Sequence, residues 1–202
     1  MLNEGTTSIY VGDTGTGKTY LAVQHWRASL CATRRPGIVI DGMAASNFDA
    51  LRAAHGVESC QDAIAAIRAG RHVVWTPETP DDCEEFFAWV KRLKGYPLAI
   101  LVDETSPWMS AYTKPANLMF LIRSHRHRGH YLYLTTQYLG DFPPAVLQCL
   151  THVHIFRSTA PATIDRLAAT FPRLDLAAIQ SLPDRQKLEF SPRVPPAAPE
   201  KA

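Results

Sequence analysis

Ser8-Ile9-Tyr10-Val11-Gly12-Asp13-Thr14-Gly15-Thr16-Gly17-Lys18-Thr19 decides the fold. Its first four residues read as a buried β-strand, and Gly12 to Thr19 fit GxxxxGK[ST] at every defined position. A helical stretch over 18–30 follows at once, so strand, glycine-rich turn and helix stand in the order this pattern requires. Glycines let the backbone curl until its N–H groups face a polyphosphate, and the helix N-terminus adds its partial positive charge. Lys18 is placed to reach the β- and γ-phosphates and Thr19 to set its hydroxyl on Mg²⁺. The expected ligand of Gly12, Asp13, Thr14, Gly15, Thr16, Gly17, Lys18 and Thr19 is therefore ATP with Mg²⁺.

Outward from this loop, apolar runs rich in β-branched residues alternate with helical segments. Strands are expected at 8–11, 37–41, 72–76, 98–103, 131–136 and 153–157, several apolar almost throughout, as when helices cover both faces of a parallel sheet. Helices are expected at 18–30, 60–69, 81–93 and 115–128. This alternation predicts a three-layer α/β P-loop NTPase fold with a mainly parallel central sheet and right-handed crossovers. Two further helices, 162–170 and 174–181, are expected to pack at the sheet edge, because the chain after Arg157 is too short for a second core. Residues 1–190 are read as one ATPase domain and 191–202, with four prolines in SPRVPPAAPEKA, as a flexible tail.

The strand Leu98-Ala99-Ile100-Leu101-Val102 runs into Asp103-Glu104. An aspartate at such a strand end holds Mg²⁺ in P-loop enzymes, and the next carboxylate is placed to take a proton from an attacking water. Two predicted strands separate the loop from this acid pair, and Tyr131-Leu132-Tyr133-Leu134-Thr135-Thr136-Gln137 follows it. That order fits the P-loop class in which a sensor strand lies between the loop strand and the acidic strand. Small signalling GTPases and nucleotide kinases lack that plan. Gln137, at the sensor strand's tip, is the candidate to contact the attacking water or γ-phosphate.

Composition narrows the rest. The 202 residues are 46% hydrophobic and 20% charged, which excludes a disordered, collagen-like or disulfide-scaffold chain. The formal charge is only +2, so any grip on nucleic acid must come from local patches or several copies. No apolar run approaches the roughly 20 residues that cross a bilayer. Cys31, Cys60, Cys83 and Cys149 show no CxxC spacing, and they predict buried, reduced thiols in a cytosolic protein. The densest positive patch is Arg123-Ser124-His125-Arg126-His127-Arg128-Gly129-His130, directly before the sensor strand.

The stretch from Arg123 to Gln137, with His152-Val153-His154-Ile155-Phe156-Arg157 after it, resembles the FtsK–HerA superfamily of DNA-pumping ATPases. The resemblance covers about residues 5–182, and its compactness is most similar to the genome packaging ATPases of tailless, internal-membrane double-jelly-roll viruses. Zot-like proteins of filamentous phages share the same motifs but usually carry a membrane span. The resemblance implies an ATPase that moves double-stranded DNA as a homo-oligomeric ring, expected to be a hexamer, in the host cytoplasm and at the packaging vertex of the virion. Partners at a capsid vertex or among membrane-associated viral proteins follow from the same likeness. It implies Lys18 and Thr19 on phosphate and metal, Asp103 on the metal, Glu104 as catalytic base and Gln137 as sensor. Arg126, three residues before Gly129, matches the arginine that reaches a neighbour's nucleotide, with Arg123, Arg128 and Arg157 in reserve. The loop from Thr105 to Pro115, with Trp108, Tyr112 and Lys114, is the expected pore-facing DNA contact. Competing readings are Zot-type phage assembly on single-stranded DNA and an ATP-dependent switch or scaffold that moves no DNA. A metabolite kinase would need a lid that the sequence does not offer.

Overall fold

The computed structural model describes residues 5–44, 46–106, 108 and 115–192. Five parallel strands carry the centre of the sheet: β1 (Thr6–Val11), β2 (Gly37–Asp41), β5 (Ala99–Asp103), β6 (Tyr131–Thr136) and β7 (His152–Ile155). The short strands β3 (Gly56–Val57), β4 (Val73–Trp75) and β8 (Leu188–Phe190) extend its two flanks. Their spatial order is β3-β4-β2-β5-β6-β1-β7-β8, and every pairing is parallel except β7 with β8. The sensor strand β6 thus lies between the loop strand β1 and the acidic strand β5, as the motif order predicts. The helices are α1 (Lys18–Thr33), α2 (Asp49–His55), α3 (Cys60–Arg68), α4 (Pro80–Arg92), α5 (Ala116–Arg128), α6 (Pro144–Leu147), α7 (Pro161–Thr170) and α8 (Leu176–Gln180).

Period-two alternation divides the strands between two cores. Ile9, Val11, Ile38, Ile40, Ile100, Val102, Leu132 and Leu134 face the larger one, with buried residues of α3, α4 and α5. Tyr10, Val39, Leu101 and Tyr133 face the smaller one, which Ala22 and Trp26 of α1 and Phe48 close. Side chains alternate across a strand, so both faces of a central strand must be apolar when helices cover both. Trp26 fixes α1 to the sheet by donating from Nε1 to the Ala99 carbonyl at 3.0 Å. Leu167 of α7 and Ile179 of α8 are buried in the larger core, so the C-terminal helices dock on the domain rather than build another.

α2, β3, α6 and β8 add to the elements expected from the sequence. None of the α2 residues is fully buried, so it carries no apolar stripe to read. β8 is three residues long and runs antiparallel, which makes the sheet mainly rather than wholly parallel. Cys60 and Cys83 are buried, and burial pushes the Cys60 thiol up to about 11. The expectation of four buried thiols is corrected at Cys31, which is exposed, and at Cys149, which is partly so. Of the expected tail only Ser191 and Pro192 fall within the described residues. Among the described residues no helix is long and apolar enough to cross a membrane.

Candidate active site

Gly12 follows β1 and needs to be glycine twice over. Its φ of 154° suits no side chain, and a Cβ there would stand 2.7 Å from the Phe156 Cβ. The loop then turns back on itself and meets α1 at Gly17, whose φ of 100° makes it the helix N-cap without a side-chain partner. The first N–H groups of α1 are therefore left for a ligand, which is how helix N-termini bind anions. Inside the loop, the Thr16 hydroxyl and the Lys18 ammonium both donate to the Asp13 carbonyl at 2.8 Å. The Asp13 side chain takes hydrogen bonds from the Thr159 N–H and hydroxyl, tying the loop to the chain beyond β7. Burial lowers the pKa of Lys18, while Glu104, Asp103 and Asp13 pull it the other way.

The acid pair lies beside this loop. Asp103 Oδ1 accepts from the Thr19 hydroxyl at 2.7 Å and from the Thr135 hydroxyl at 2.8 Å. Burial raises the pKa of Asp103, and those two hydrogen bonds oppose the rise. A hydroxyl and a buried carboxylate meeting at the loop mouth are hard oxygen donors, the set that Mg²⁺ takes. A divalent cation there would also relieve the cost of burying Asp103. The residues present fit the ion.

Glu104 has φ 52°, a left-handed conformation unusual outside glycine. Hydrogen bonds with three residues hold it there. Its N–H donates to Thr135 Oγ1 at 2.8 Å, Ser106 Oγ donates to Glu104 Oε1 at 2.6 Å, and Gln137 Nε2 donates to Oε2 at 3.2 Å. Gln137 also accepts from the Thr14 hydroxyl through Oε1 at 3.0 Å, so its amide bridges the phosphate loop and the acid pair. Backbone strain maintained by surrounding contacts is a mark of functional positions. The structure brings together Gly12 to Thr19, Asp103, Glu104 and Gln137, as the sequence predicts. It adds Thr14 as a partner of Gln137, Thr135 as the brace between both carboxylates, and Ser106 on Glu104. Asp41 joins them at the end of β2, level with Asp103 in register, fully buried and ion-paired with Arg52.

The arginines separate cleanly. Arg126 lies in the last turn of α5, at the start of β6, whereas the phosphate loop lies past the far end of that strand. Six residues of strand put about 17–20 Å between those ends. Arg126 is partly exposed and makes no ion pair among the described residues, and Arg123 is exposed beside it. Arg128 is engaged in its own chain, donating to the Lys91 carbonyl at 2.6 Å and lying over the Phe120 ring. Arg157 stands at the loop end, paired with Asp184 at 2.7 Å, while its carbonyl accepts from the Asp13 N–H. In the expected pore loop, Trp108 is 5% exposed and packs inward, 2.8 Å through Nε1 from where a Gly42 Cβ would stand. It is not an exposed DNA contact. Residues 107 and 109–114, with Tyr112 and Lys114, lie outside the described residues.

The loop, the intervening sensor strand and the two carboxylates define a P-loop NTPase fold. The family model for zonular occludens toxin (Zot) matches residues 6–167. The chain belongs to the Zot family. Among solved structures it is similar to the genome packaging NTPase B204 of Sulfolobus turreted icosahedral virus 2. The sulfate complex superposes with a TM-score of 0.74 at 20% identity over 94% of this chain and 92% of that one. The ATP-γS complex gives 0.70 at 18% over 94% and 93%. ATPases 2 and 3 of EssC from Geobacillus thermodenitrificans give 0.61 at 9%, over 94% of this chain and 38% of that one. No curated protein matches the chain. The three-layer P-loop NTPase fold expected from the sequence is the fold observed, and it is shared with B204.

Proposed function

We propose that the chain is an ATP-hydrolysing motor of virus genome packaging or assembly, working as a homo-oligomeric ring, with six copies as the expected number, around double-stranded DNA. Lys18 and the loop N–H groups hold the β- and γ-phosphates. Thr19 and Asp103 hold Mg²⁺, which when bound neutralises charge that builds up on the transferred phosphoryl group. Glu104 takes the proton of the attacking water, and Gln137 orients that water or the γ-phosphate. Arg126 of the adjacent copy completes the site, because the Arg126 of the same copy is a strand's length away. Residues 1–190 serve as the motor and 191–202 as its tail.

The observation that carries this reading is the divided arrangement: loop, acid pair and sensor at one end of the sheet, and Arg126 at the other. B204 is described as a genome packaging NTPase and was solved with ATP-γS, which supports ATP as fuel and packaging as the task. The site of action would then be the host cytoplasm and the packaging vertex of the virion.

Membership of the Zot family favours a second reading, in which the same motor drives filamentous phage assembly on single-stranded DNA. ATPase rates measured across protein concentration, with duplex and single-stranded DNA compared, separate the cases. The packaging reading expects specific activity to rise with concentration and duplex DNA to stimulate it. Preference for single strands supports the Zot-type reading. A rate independent of both concentration and DNA contradicts the motor and leaves a nucleotide-dependent switch.

A further inference from the structure

We infer that the nucleoside half of the triphosphate lies between the first turn of α1 and the C-terminal return before β8, against Phe156 and under the guanidinium of Arg185. This rests on the reading of residues 12–19 as a triphosphate site. The direction of the ligand follows from the strand order. Asp103 and Glu104 end β5, and Gln137 follows β6, all on one side of β1. The γ-phosphate must face them, so the chain of phosphates leads across the loop towards β7 and β8.

There the structure holds a cavity of about 490 Å³ lined by Gly15, Gly17, Tyr20, Phe156, Arg185 and Lys187. Phe156 is 2% exposed and Tyr20 is 71% exposed, which gives the cavity a fixed apolar floor and a free aromatic rim. Nucleoside pockets of this kind combine apolar surface with a few placed polar groups. A second cavity of about 500 Å³ shares Gly15, Gly17 and Tyr20 with the first but reaches Lys18 and Thr19, and Gln24, Arg27 and Asn47 line its far side. Asn47 follows β2, on the side of the acid pair, where the γ-phosphate end belongs.

The return is a strap fastened at both ends. Asp184 pairs with Arg157 at 2.7 Å, and Leu188 to Phe190 pair with β7. Between these, Lys187 is anchored on Glu189 and stands 3.2 Å from His154 Nδ1. Arg185 is held in the left-handed region at φ 64°, with its Cγ 3.7 Å from where a Cβ on Gly17 would begin. It is exposed and has no ion pair among the described residues. A planar guanidinium on a residue that lines an aromatic-walled cavity is suited to stack on a nucleobase. A nucleoside is the ligand chemistry this pocket takes.

The test uses the full chain with ATP and inorganic tripolyphosphate as probes, and 8-azido-ATP for crosslinking. Arg185→Ala is expected to bind ATP about tenfold more weakly than wild type while tripolyphosphate affinity stays the same. Arg185→Lys, which keeps the charge but loses the flat surface, is expected to shift in the same direction by less. Crosslinked peptides are expected to contain residues 183–187. Label on Gln24 or Asn47, or Arg185 variants that bind ATP as wild type does, overturns the pocket while the triphosphate site stands. A wild-type chain that binds neither probe overturns both.

Discussion

The two ends of the sheet carry opposite chemistry. Segments 12–19, 41–44, 46–49, 58–62, 76–82, 103–106, 137–143 and 156–160, where strands end and helices begin, hold eleven carboxylates and two basic residues, Lys18 and Arg157. The connections at the other end, 31–37, 68–72, 91–98 and 123–130, hold ten lysines and arginines and no carboxylate. Helix dipoles account for part of this, since all these helices start at the acidic end and finish at the basic one. Arg34, Arg35, Arg71 and Lys94 lie beyond the last helical turns, and no acid is interspersed among them. A formal charge of +2 therefore hides a strongly polar molecule. Its basic end complements the end that would carry the triphosphate, which is the asymmetry a head-to-tail ring requires.

The largest expected effect breaks the link between the two ends. Arg126→Ala should depress turnover of assembled protein by about 10³-fold or more, as for other trans-acting arginines. ATP affinity of dilute copies should stay unchanged, because Arg126 lies far from its own loop. Unchanged turnover would reduce the basic end to helix capping. Next comes the acidic end itself. Glu104→Gln should lower single-turnover hydrolysis by roughly 10²–10⁴-fold while ATP binding persists, the split expected when only the proton acceptor is lost. Equal loss of binding would show Glu104 to be a structural support for the loop.

The third prediction reads the field of the basic end through His130. Burial first, then Arg128 and Arg35, hold its pKa near 4, below the ordinary 6.5, and the neutral ring accepts the Leu98 N–H at 3.1 Å. The unfolded chain takes up a proton there that the folded chain refuses. Stability should be fully present above pH 6.5 and fall as pH drops from 6.5 towards 4. His154, held near 3 mainly by burial, adds to the same slope. His130→Gln should flatten part of it in melting curves, and an unaltered slope would show that burial and the neighbouring arginines do not keep His130 neutral. The smallest effect belongs to a cap at the acidic end. Thr79 and Asp82 form a reciprocal capping box at the start of α4. Thr79→Ala should cost about 1 kcal/mol, a few degrees of melting temperature, with ATPase activity unchanged. A loss of activity would extend the site to α4.

Legibility in the sequence followed how local each signal was. β2 and β6 stand at their expected limits, because short runs of three or four apolar or aromatic residues bounded by polar or turn residues fit a strand of a covered parallel sheet. The phosphate loop and the acid pair were readable because each is one contiguous stretch with its chemistry built in. α2 has no apolar stripe, and β8 is three residues that become a strand only by pairing with β7, so neither left a periodic trace. The brace at Thr135 was half visible, as one of two threonines ahead of Gln137, but only the sheet order shows it bonded to Asp103. Arg185 gave no signal at all. Its place against Gly17 is created by the strap that returns along β7, a contact between distant parts of the chain. Trp108 was readable as an aromatic in a loop, but its burial depends on the space left by Gly42.

Mixing two inactive variants tests the shared site most directly. Glu104→Gln copies keep Arg126, and Arg126→Ala copies keep Glu104, so a randomly mixed ring joins an intact loop to an intact arginine at about a quarter of its interfaces. The divided site predicts that ATPase activity returns on mixing, in proportion to those interfaces. Co-assembled rings that remain as inactive as either variant alone would contradict it.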